Sequence, residues 1–225
     1  MMRKYTPAIF FLIPLIFSCA GRANTAFVPV PDLEYFKQEH KIFDISTITE
    51  TRDGTFYLPD WLIVFFNSGI EEVEKLDSYY GKYVFIVSNE GANFGALNIW
   101  ASSFSEVKDF SMLAGRRIER RMISTSSLYP DDEYGIFFET MIKKAYSAEY
   151  PGVTKEDTYW IKYTDNSENN FGNEIYVFFI LFTANIMTTQ SFITGMISET
   201  INDVSPTGSQ RTIINRLRQN FFWGF

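Results

Sequence analysis

The chain has very few of the residues from which metal centres and thiol-based active sites are built. Its 225 residues include one cysteine and one histidine, His40, which stands in no ligand pattern. A single cysteine excludes internal disulfides, the common covalent stabiliser of exported proteins. Zinc sites and Cys-His catalysis need several such side chains together. We therefore expect no metal and no cofactor.

Common catalytic and phosphate-binding motifs are also missing. The sequence contains no G-x-S-x-G, no P-loop and no G-x-G-x-x-G, which are loops that place a nucleophile or cradle a phosphate. The formal net charge is −7 at pH 7, whereas nucleic-acid binders usually carry a basic footprint. We therefore predict that the protein is not an enzyme and does not bind nucleic acid.

The N-terminus carries an apolar run, residues 7–17, that is too short for a membrane-spanning helix of about 20 residues. Arg3 and Lys4 precede this run and small residues follow it. These are the three parts of a secretory signal. We predict that residues 1–18 are a signal peptide and that the protein is exported.

The end of the apolar run, Leu15-Ile16-Phe17-Ser18-Cys19, resembles a bacterial lipobox, in which the cysteine receives a diacylglycerol before cleavage. Phe17 stands where the usual pattern has Ala, Ser or Thr, and the looser lipoboxes of spirochaete lipoproteins are more similar. Because the single cysteine falls at this junction, we predict a lipid anchor on Cys19. The alternative is cleavage after Ala20 or Ala23, which would release a free periplasmic protein.

Apolar and aromatic residues are abundant in the rest of the chain. Hydrophobic residues make up 46% of the sequence and aromatic residues 18%, far more than a disordered chain carries. Pro29 and Pro31 interrupt the region that follows the cysteine. We predict a lipid-anchored tether over residues 19–57, with one short strand around residues 43–48, and a single domain over residues 58–225.

Helix and strand patterns alternate along this domain. Pro59 and Asp60 open a helix that ends at Gly69. A second helix is indicated by the spacing of Ile70, Val73, Leu76 and Tyr80. Strands are predicted over residues 82–88, 157–164 and 174–183. A long helical region follows the first strand and is broken near residues 102–103; in it, apolar residues recur at spacings of three and four, namely Val107, Phe110, Ala114, Ile118 and Met122. Further helices are predicted over 131–146, 188–203 and 209–222.

The last two strands predict the core of the sheet. A polar loop over residues 165–170 suits a hairpin between them. Residues 175–182 are eight consecutive apolar residues, so that strand should be central and covered on both faces. The predicted fold class is α+β, with a small, mostly antiparallel sheet of about three to four strands and amphipathic helices packed on it.

Two segments carry a family resemblance. Residues 128–135, LYPDDEYG, and residues 157–163, DTYWIKY, resemble a group of uncharacterised treponemal lipoproteins, over roughly residues 58–187. The resemblance implies an envelope location and no particular activity. The strand-helix-strand-strand-helix order is more distantly similar to small envelope lipoproteins of flagellar and curli assembly. Those proteins have an Ala-rich first helix, which the segment 110–117 lacks, so this second likeness concerns fold alone.

A cluster of cations is the main candidate site. Arg116, Arg117, Arg120 and Arg121 lie within two helical turns. In an exported protein, they could bind lipid phosphates or acidic envelope polymers. The alternative is a solvated helix face balanced by Glu106, Asp109 and Glu119.

Three further groups have both a functional and a structural interpretation. The acidic triplet 131–133 could hold a metal or act as acid and base, or stabilise a helix N-terminus. Trp61, Tyr159 and Trp160 could stack on a sugar or fill the core. The C-terminal segment 221–225 could enter a membrane interface beside Arg211, Arg216 and Arg218, or pack back on the domain. We expect the structural role in each case.

These observations favour one function over two others. We predict an exported, lipid-anchored envelope protein, on the periplasmic side or in the outer membrane, whose domain binds or scaffolds another envelope protein without catalysis. A carrier that holds a hydrophobic ligand among its many Phe residues is the second hypothesis, and an enzyme of unknown chemistry is the third. The oligomeric state stays open.

Overall fold

The computed structural model of the chain describes residues 44–54, 57–126, 135–165, 172–223 and 225. All of these residues belong to one compact unit. The predicted signal peptide, Cys19, His40 and the acidic triplet 131–133 lie outside the described residues. Helices and a four-stranded antiparallel sheet make up the described part, which confirms the predicted α+β fold class.

The strands follow the order β1-β3-β4-β2 across the sheet. Every neighbouring pair is antiparallel, and β3 and β4 pair along their length as the predicted hairpin requires. The bounds of the strands are β1 Ile48–Thr51, β2 Lys82–Gly91, β3 Val153–Asp165 and β4 Asn173–Asn185.

The helices begin where local capping signals stand. The side chains of Asn93 and Asn185 accept backbone N–H groups of the following turn, and Thr207 opens a capping box, so these residues satisfy donors that a helix start leaves unpaired. Among the described residues, no helix is both long and apolar enough to cross a membrane. The bounds of the helices are α1 Asp60–Ser68, α2 Ile70–Val73, α3 Phe94–Ser103, α4 Lys108–Ser126, α5 Gly135–Ser147, α6 Ile186–Val204 and α7 Gly208–Asn220.

The sheet is covered on both faces. Side chains alternate along β2, so that Tyr83 and Phe85 join a core with α3 to α7, whereas Val84 joins a core with α1 on the opposite face. In β4, residues 177–184 are all buried. The prediction of a central strand covered on both faces is therefore confirmed.

Several boundaries differ from those expected; β3, for example, begins at Val153 rather than at residue 157. The second helix ends at Val73, because the backbone of Leu76 is extended and the chain turns before entering β2. Tyr80, which was expected on the buried side of that helix, is 90% exposed. The short strand expected around residues 43–48 lies instead at residues 48–51, after a helical turn at 45–47. It pairs with β3 as an edge strand, so the sheet begins before residue 58.

Candidate anion-binding surface

The predicted cation cluster lies on α4, which turns a continuous apolar stripe toward the core. The stripe comprises Phe110, Ala114, Ile118 and Met122, each at most 1% exposed. The spacing of three and four residues that predicted this helix also predicted its buried side, except at Val107, which precedes the helix and is 54% exposed. Arg116, Arg117, Arg120 and Arg121 flank the stripe and are all half-buried. The alternative expectation of a solvated helix face does not describe them.

Arg117 reaches across the free edge of the sheet. Its guanidinium forms an ion pair with Glu74 at 2.9 Å and donates to the carbonyl oxygen of Val84 at 3.1 Å. Glu74 also accepts the backbone N–H of Val84 at 2.9 Å. Because β2 is an edge strand, these two side chains satisfy backbone groups that no strand pairs, and such groups otherwise invite edge-to-edge association.

The same guanidinium lies among aromatic rings. Its central carbon is 4.9 Å from the ring centre of Tyr83 and 5.1 Å from those of Phe85 and Phe225. It also donates to the backbone oxygen of Phe225. A guanidinium over ring faces is stabilised by the negative charge density of those faces. Arg117 therefore joins α2, β2, α4 and the C-terminal segment.

Arg121 binds the end of the last helix. Its Nε donates to the carbonyl oxygen of Phe221 at 2.7 Å, and a second guanidinium nitrogen donates to that of Asn220 at 2.6 Å. The last carbonyl groups of a helix lack internal partners and carry partial negative charge. Arg121 thus caps α7 from a neighbouring helix, and this contact places the C-terminal part of α4 beside the C-terminal end of α7.

The carboxylates expected to balance the arginines have other partners. Glu106 accepts the backbone N–H of Lys155, and Asp109 accepts that of Ser105. Glu119 accepts the hydroxyl of Tyr146 on α5. Burial raises the pKa of Tyr146, and the hydrogen bond to Glu119 raises it further. The pairing of Arg117 with Glu74 was missed because 43 residues separate the two, and no local spacing signals such a contact.

A second set of cations lies on α7, and it differs from the first in exposure. Arg211, Arg216 and Arg218 are exposed, whereas Ile214, Leu217 and Phe221 of the same segment are buried. Of these arginines, Arg211 donates to the carbonyl oxygen of Pro206. Among the described residues, neither Arg216 nor Arg218 has a salt bridge.

The C-terminal segment packs back on the domain, as expected, with one exception. Phe221 is fully buried and Phe225 is 7% exposed, and the ring of Phe225 contacts that of Tyr83 at 5.1 Å between centres. Trp223, between them, is 79% exposed. The segment is therefore anchored by phenylalanines and presents an indole to solvent.

The aromatic residues considered for sugar stacking fill the core instead. Trp61 is 5% exposed and Tyr159 is fully buried. Trp160 is half-buried, and its ring meets that of Phe94 edge-to-face with 5.2 Å between the ring centres. The indole N–H of Trp61 donates to Asp157 at 3.1 Å. A buried indole usually finds such a partner, so the expectation of core packing is confirmed.

Carboxylates of β3 also gather near an irregularity of the strand. The pairing of β3 with β4 shifts between Lys155 and Asp157, and Glu156 accepts from Lys82 at 2.7 Å and from the hydroxyl of Thr183 at 2.6 Å. These hydrogen bonds lower the pKa of Glu156. A general acid needs the opposite shift, so this cluster is organised as a hydrogen-bonded ion pair.

The described residues contain no group of three or more His, Cys, Asp or Glu side chains arranged to hold a metal ion. The cationic feature that this part of the chain exposes to solvent is the face of α7 that carries Arg211, Arg216 and Arg218. Comparisons with models of protein families, with curated proteins and with solved structures found no match for this chain.

Proposed function

We propose that the chain is an exported, lipid-anchored protein of the bacterial cell envelope, whose domain binds another envelope protein without catalysis. The N-terminal pattern supports export and the anchor, because a short apolar run is followed at once by the single cysteine, Cys19. The binding role is supported by the surface of α3.

The helix α3 is apolar on its inner side and uncharged on its outer side. Leu97 and Ala101 face the core, while Ile99 is 71% exposed. Trp100 is half-buried against the ring of Phe104. No charged residue occurs between Glu90 and Glu106. Ala96, Asn98, Ser102 and Ser103 are also exposed, so the outer face combines an exposed isoleucine with small and uncharged polar side chains.

Such a surface is typical of a protein interface. Interface cores are depleted of charge and enriched in aromatic side chains, and contiguous exposed apolar patches mark interaction sites. The exposed, uncharged face of α3 is the observation that carries the proposed binding role.

Site-specific photo-crosslinking in intact cells tests this role. A crosslinking amino acid replaces Ile99, and the matched control replaces Lys143, whose side chain is 73% exposed on α5. We expect one discrete protein adduct from position 99 and none from position 143, and the adduct should disappear when Trp100→Asp is added. Equal labelling from both positions, or none from position 99, would contradict the proposal.

The anchor has its own test. Cys19→Ala removes the only thiol, so the variant should move from the detergent phase to the aqueous phase on phase separation, whereas the parent protein stays with the detergent. A parent protein that is already aqueous would favour cleavage after Ala20 or Ala23 and would exclude the lipid anchor.

A further inference from the structure

The C-terminal region is basic within an acidic chain. After Asp203, the sequence contains Arg211, Arg216 and Arg218 and no acidic residue through Phe225, whereas the whole chain has a formal charge of −7. Segregated charge of this kind orients a protein as it approaches a charged surface. The side that carries α7 would turn toward a negative surface, and the acidic remainder would turn away.

The buried side of α7 fixes which face is available. Ile214 and Leu217 are each 2% exposed, so the helix is held to the domain by its apolar stripe. Its arginines occupy the remaining, solvent-facing part. Arg211 and Arg218 are seven residues apart and hence lie on one side of the helix. Arg216 lies on the other flank of the exposed face, so the cations are spread across it.

Trp223 lies in the turn that follows the C-terminal end of this helix. Its backbone N–H donates to the carbonyl oxygen of Asn220 at 3.1 Å, and Phe221 and Phe225 on either side of it are buried. The turn is therefore held in place while the indole is 79% exposed. Indole side chains favour the boundary between membrane and water, where one part of the ring is apolar and its N–H is hydrated.

Arg121 adds positive charge to the same region, because its guanidinium lies on the last carbonyl groups of α7. It also neutralises the partial negative charge of that helix end, which would otherwise oppose an anion. An acidic protein or polymer would also account for the exposed arginines, and interfaces between proteins often contain Trp, so competition by a soluble polyanion separates the two kinds of ligand. A phospholipid surface accommodates both features, because arginines bind its phosphate groups and a Trp side chain enters the zone between headgroups and acyl chains.

We propose that the exposed face of α7 and Trp223 form a membrane-binding surface for anionic phospholipid headgroups. This surface does not depend on Cys19. Three arginines give weak binding by themselves, since each basic residue near an anionic membrane contributes about fivefold in affinity. Their effect becomes large when an anchor already holds the domain close to the bilayer, because the second contact is then intramolecular.

Vesicle sedimentation tests the proposal without an anchor. The proteins are the full chain with Cys19→Ser and a chain beginning at Ala20, which keeps the whole compact unit 38–225. The vesicles are phosphatidylcholine alone, or phosphatidylcholine with a quarter of phosphatidylglycerol. We expect the shorter chain to prefer the anionic vesicles and to lose that preference as salt is raised.

Variants assign the binding to residues. Arg216→Gln with Arg218→Gln should lower the partition coefficient of the chain beginning at Ala20 on anionic vesicles about 25-fold, at about fivefold per arginine. The charge-matched control, Lys75→Gln with Lys143→Gln, removes two exposed cations of α5 and the turn after α2 and should change it less than twofold. Trp223→Ala should weaken binding and abolish the fluorescence blue shift that anionic vesicles induce.

Three outcomes would overturn the proposal: equal losses from the two double variants, no preference for anionic vesicles, or binding to soluble polyglutamate that vesicles do not compete away. The last would identify an acidic polymer or protein as the ligand. Because neither test protein has Cys19, all three outcomes are independent of whether the natural chain is lipidated.

Discussion

The arginines of α4 and those of α7 have the same chemistry in opposite surroundings. Arg117 lies between Glu74, two backbone oxygens and three aromatic rings. Arg216 and Arg218 are exposed on a helix without acidic residues. Four clustered cations drew attention to α4 in the sequence, yet the three dispersed cations of α7 are the exposed ones.

This difference shows that clustering alone does not identify a binding surface. What decides the role of a cation is the number of acceptors that the fold places around it. Arg121 illustrates the point, because its acceptors are helix-end carbonyl groups from a segment about 100 residues later. A cation that such acceptors hold stabilises the fold, while one without them remains available to a ligand.

The largest expected effect comes from removing Arg117. Arg117→Ala leaves Glu74 and the edge of β2 without their partner in a site where the two charged side chains are only 20% and 21% exposed. We expect a loss of about 3 kcal/mol in the free energy of unfolding, measured by urea denaturation. Arg117→Lys keeps the charge without the planar fork and should lose less. A loss below 0.5 kcal/mol is roughly that of a surface substitution. It would show that Arg117 of α4 contributes no more to stability than the exposed arginines of α7.

The next prediction concerns how closely α4 packs against α5. A Cβ at Gly115 would lie 2.8 Å from a ring carbon of Tyr146 and 3.2 Å from its Cα. Gly115→Ala should therefore cost about 1–2 kcal/mol by overpacking. Gly195→Ala in α6 is the matched control, since nothing lies within 4 Å of its Cβ, and it should stabilise by about 0.5–1 kcal/mol. Urea denaturation measures both changes in the free energy of unfolding. If the two substitutions changed it in the same direction, this packing would be contradicted.

A pH titration tests another cation that the fold holds, Lys82, through its ion pair with Glu156. Lys82 and Thr183 lower the pKa of Glu156 below its ordinary value of 4.5. The ionised form therefore stabilises the fold above about pH 4.5, and that contribution is lost as the pH falls through the lowered pKa. We expect Glu156→Gln to cost about 0.5–1 kcal/mol at pH 7 and almost nothing near pH 2. Urea denaturation across this range measures it, and a difference independent of pH would refute the assignment.

The smallest expected effect belongs to α7. Arg216→Gln with Arg218→Gln should change the free energy of unfolding by less than about 0.5 kcal/mol, because the described residues give these side chains no salt bridge. Thermal and urea denaturation beside the Arg117→Ala variant measure the contrast. A loss comparable to that of Arg117→Ala would show that these arginines also hold the fold together.

Much of the fold follows from local sequence signals. The apolar run of residues 175–182 predicted the central strand, and Phe110, Ala114, Ile118 and Met122 predicted the buried side of α4. The spacing of Ile70, Val73, Leu76 and Tyr80 failed, because a helical period cannot reveal that the chain must turn to enter β2. The strand at residues 48–51 was placed in the tether because four residues at a sheet edge carry little pattern of their own.

The site was less predictable than the fold. The sequence contains both arginine sets, but their surroundings depend on contacts between distant segments, such as Arg117 with Glu74 and Arg121 with Phe221. The exposure of Trp223 was not foreseen either. Its neighbours Phe221 and Phe225 are equally apolar, and only tertiary packing decides which of the three rings faces solvent.

The distinction between held and available cations is tested most directly by the partition coefficient on vesicles containing phosphatidylglycerol. The measurement compares the chain beginning at Ala20 with its Arg216→Gln/Arg218→Gln and Lys75→Gln/Lys143→Gln variants. The account predicts about a 25-fold loss for the first variant and less than a twofold change for the second, with the unfolding midpoints of all three unchanged. Equal losses would mean that binding follows net charge and that α7 is no special surface.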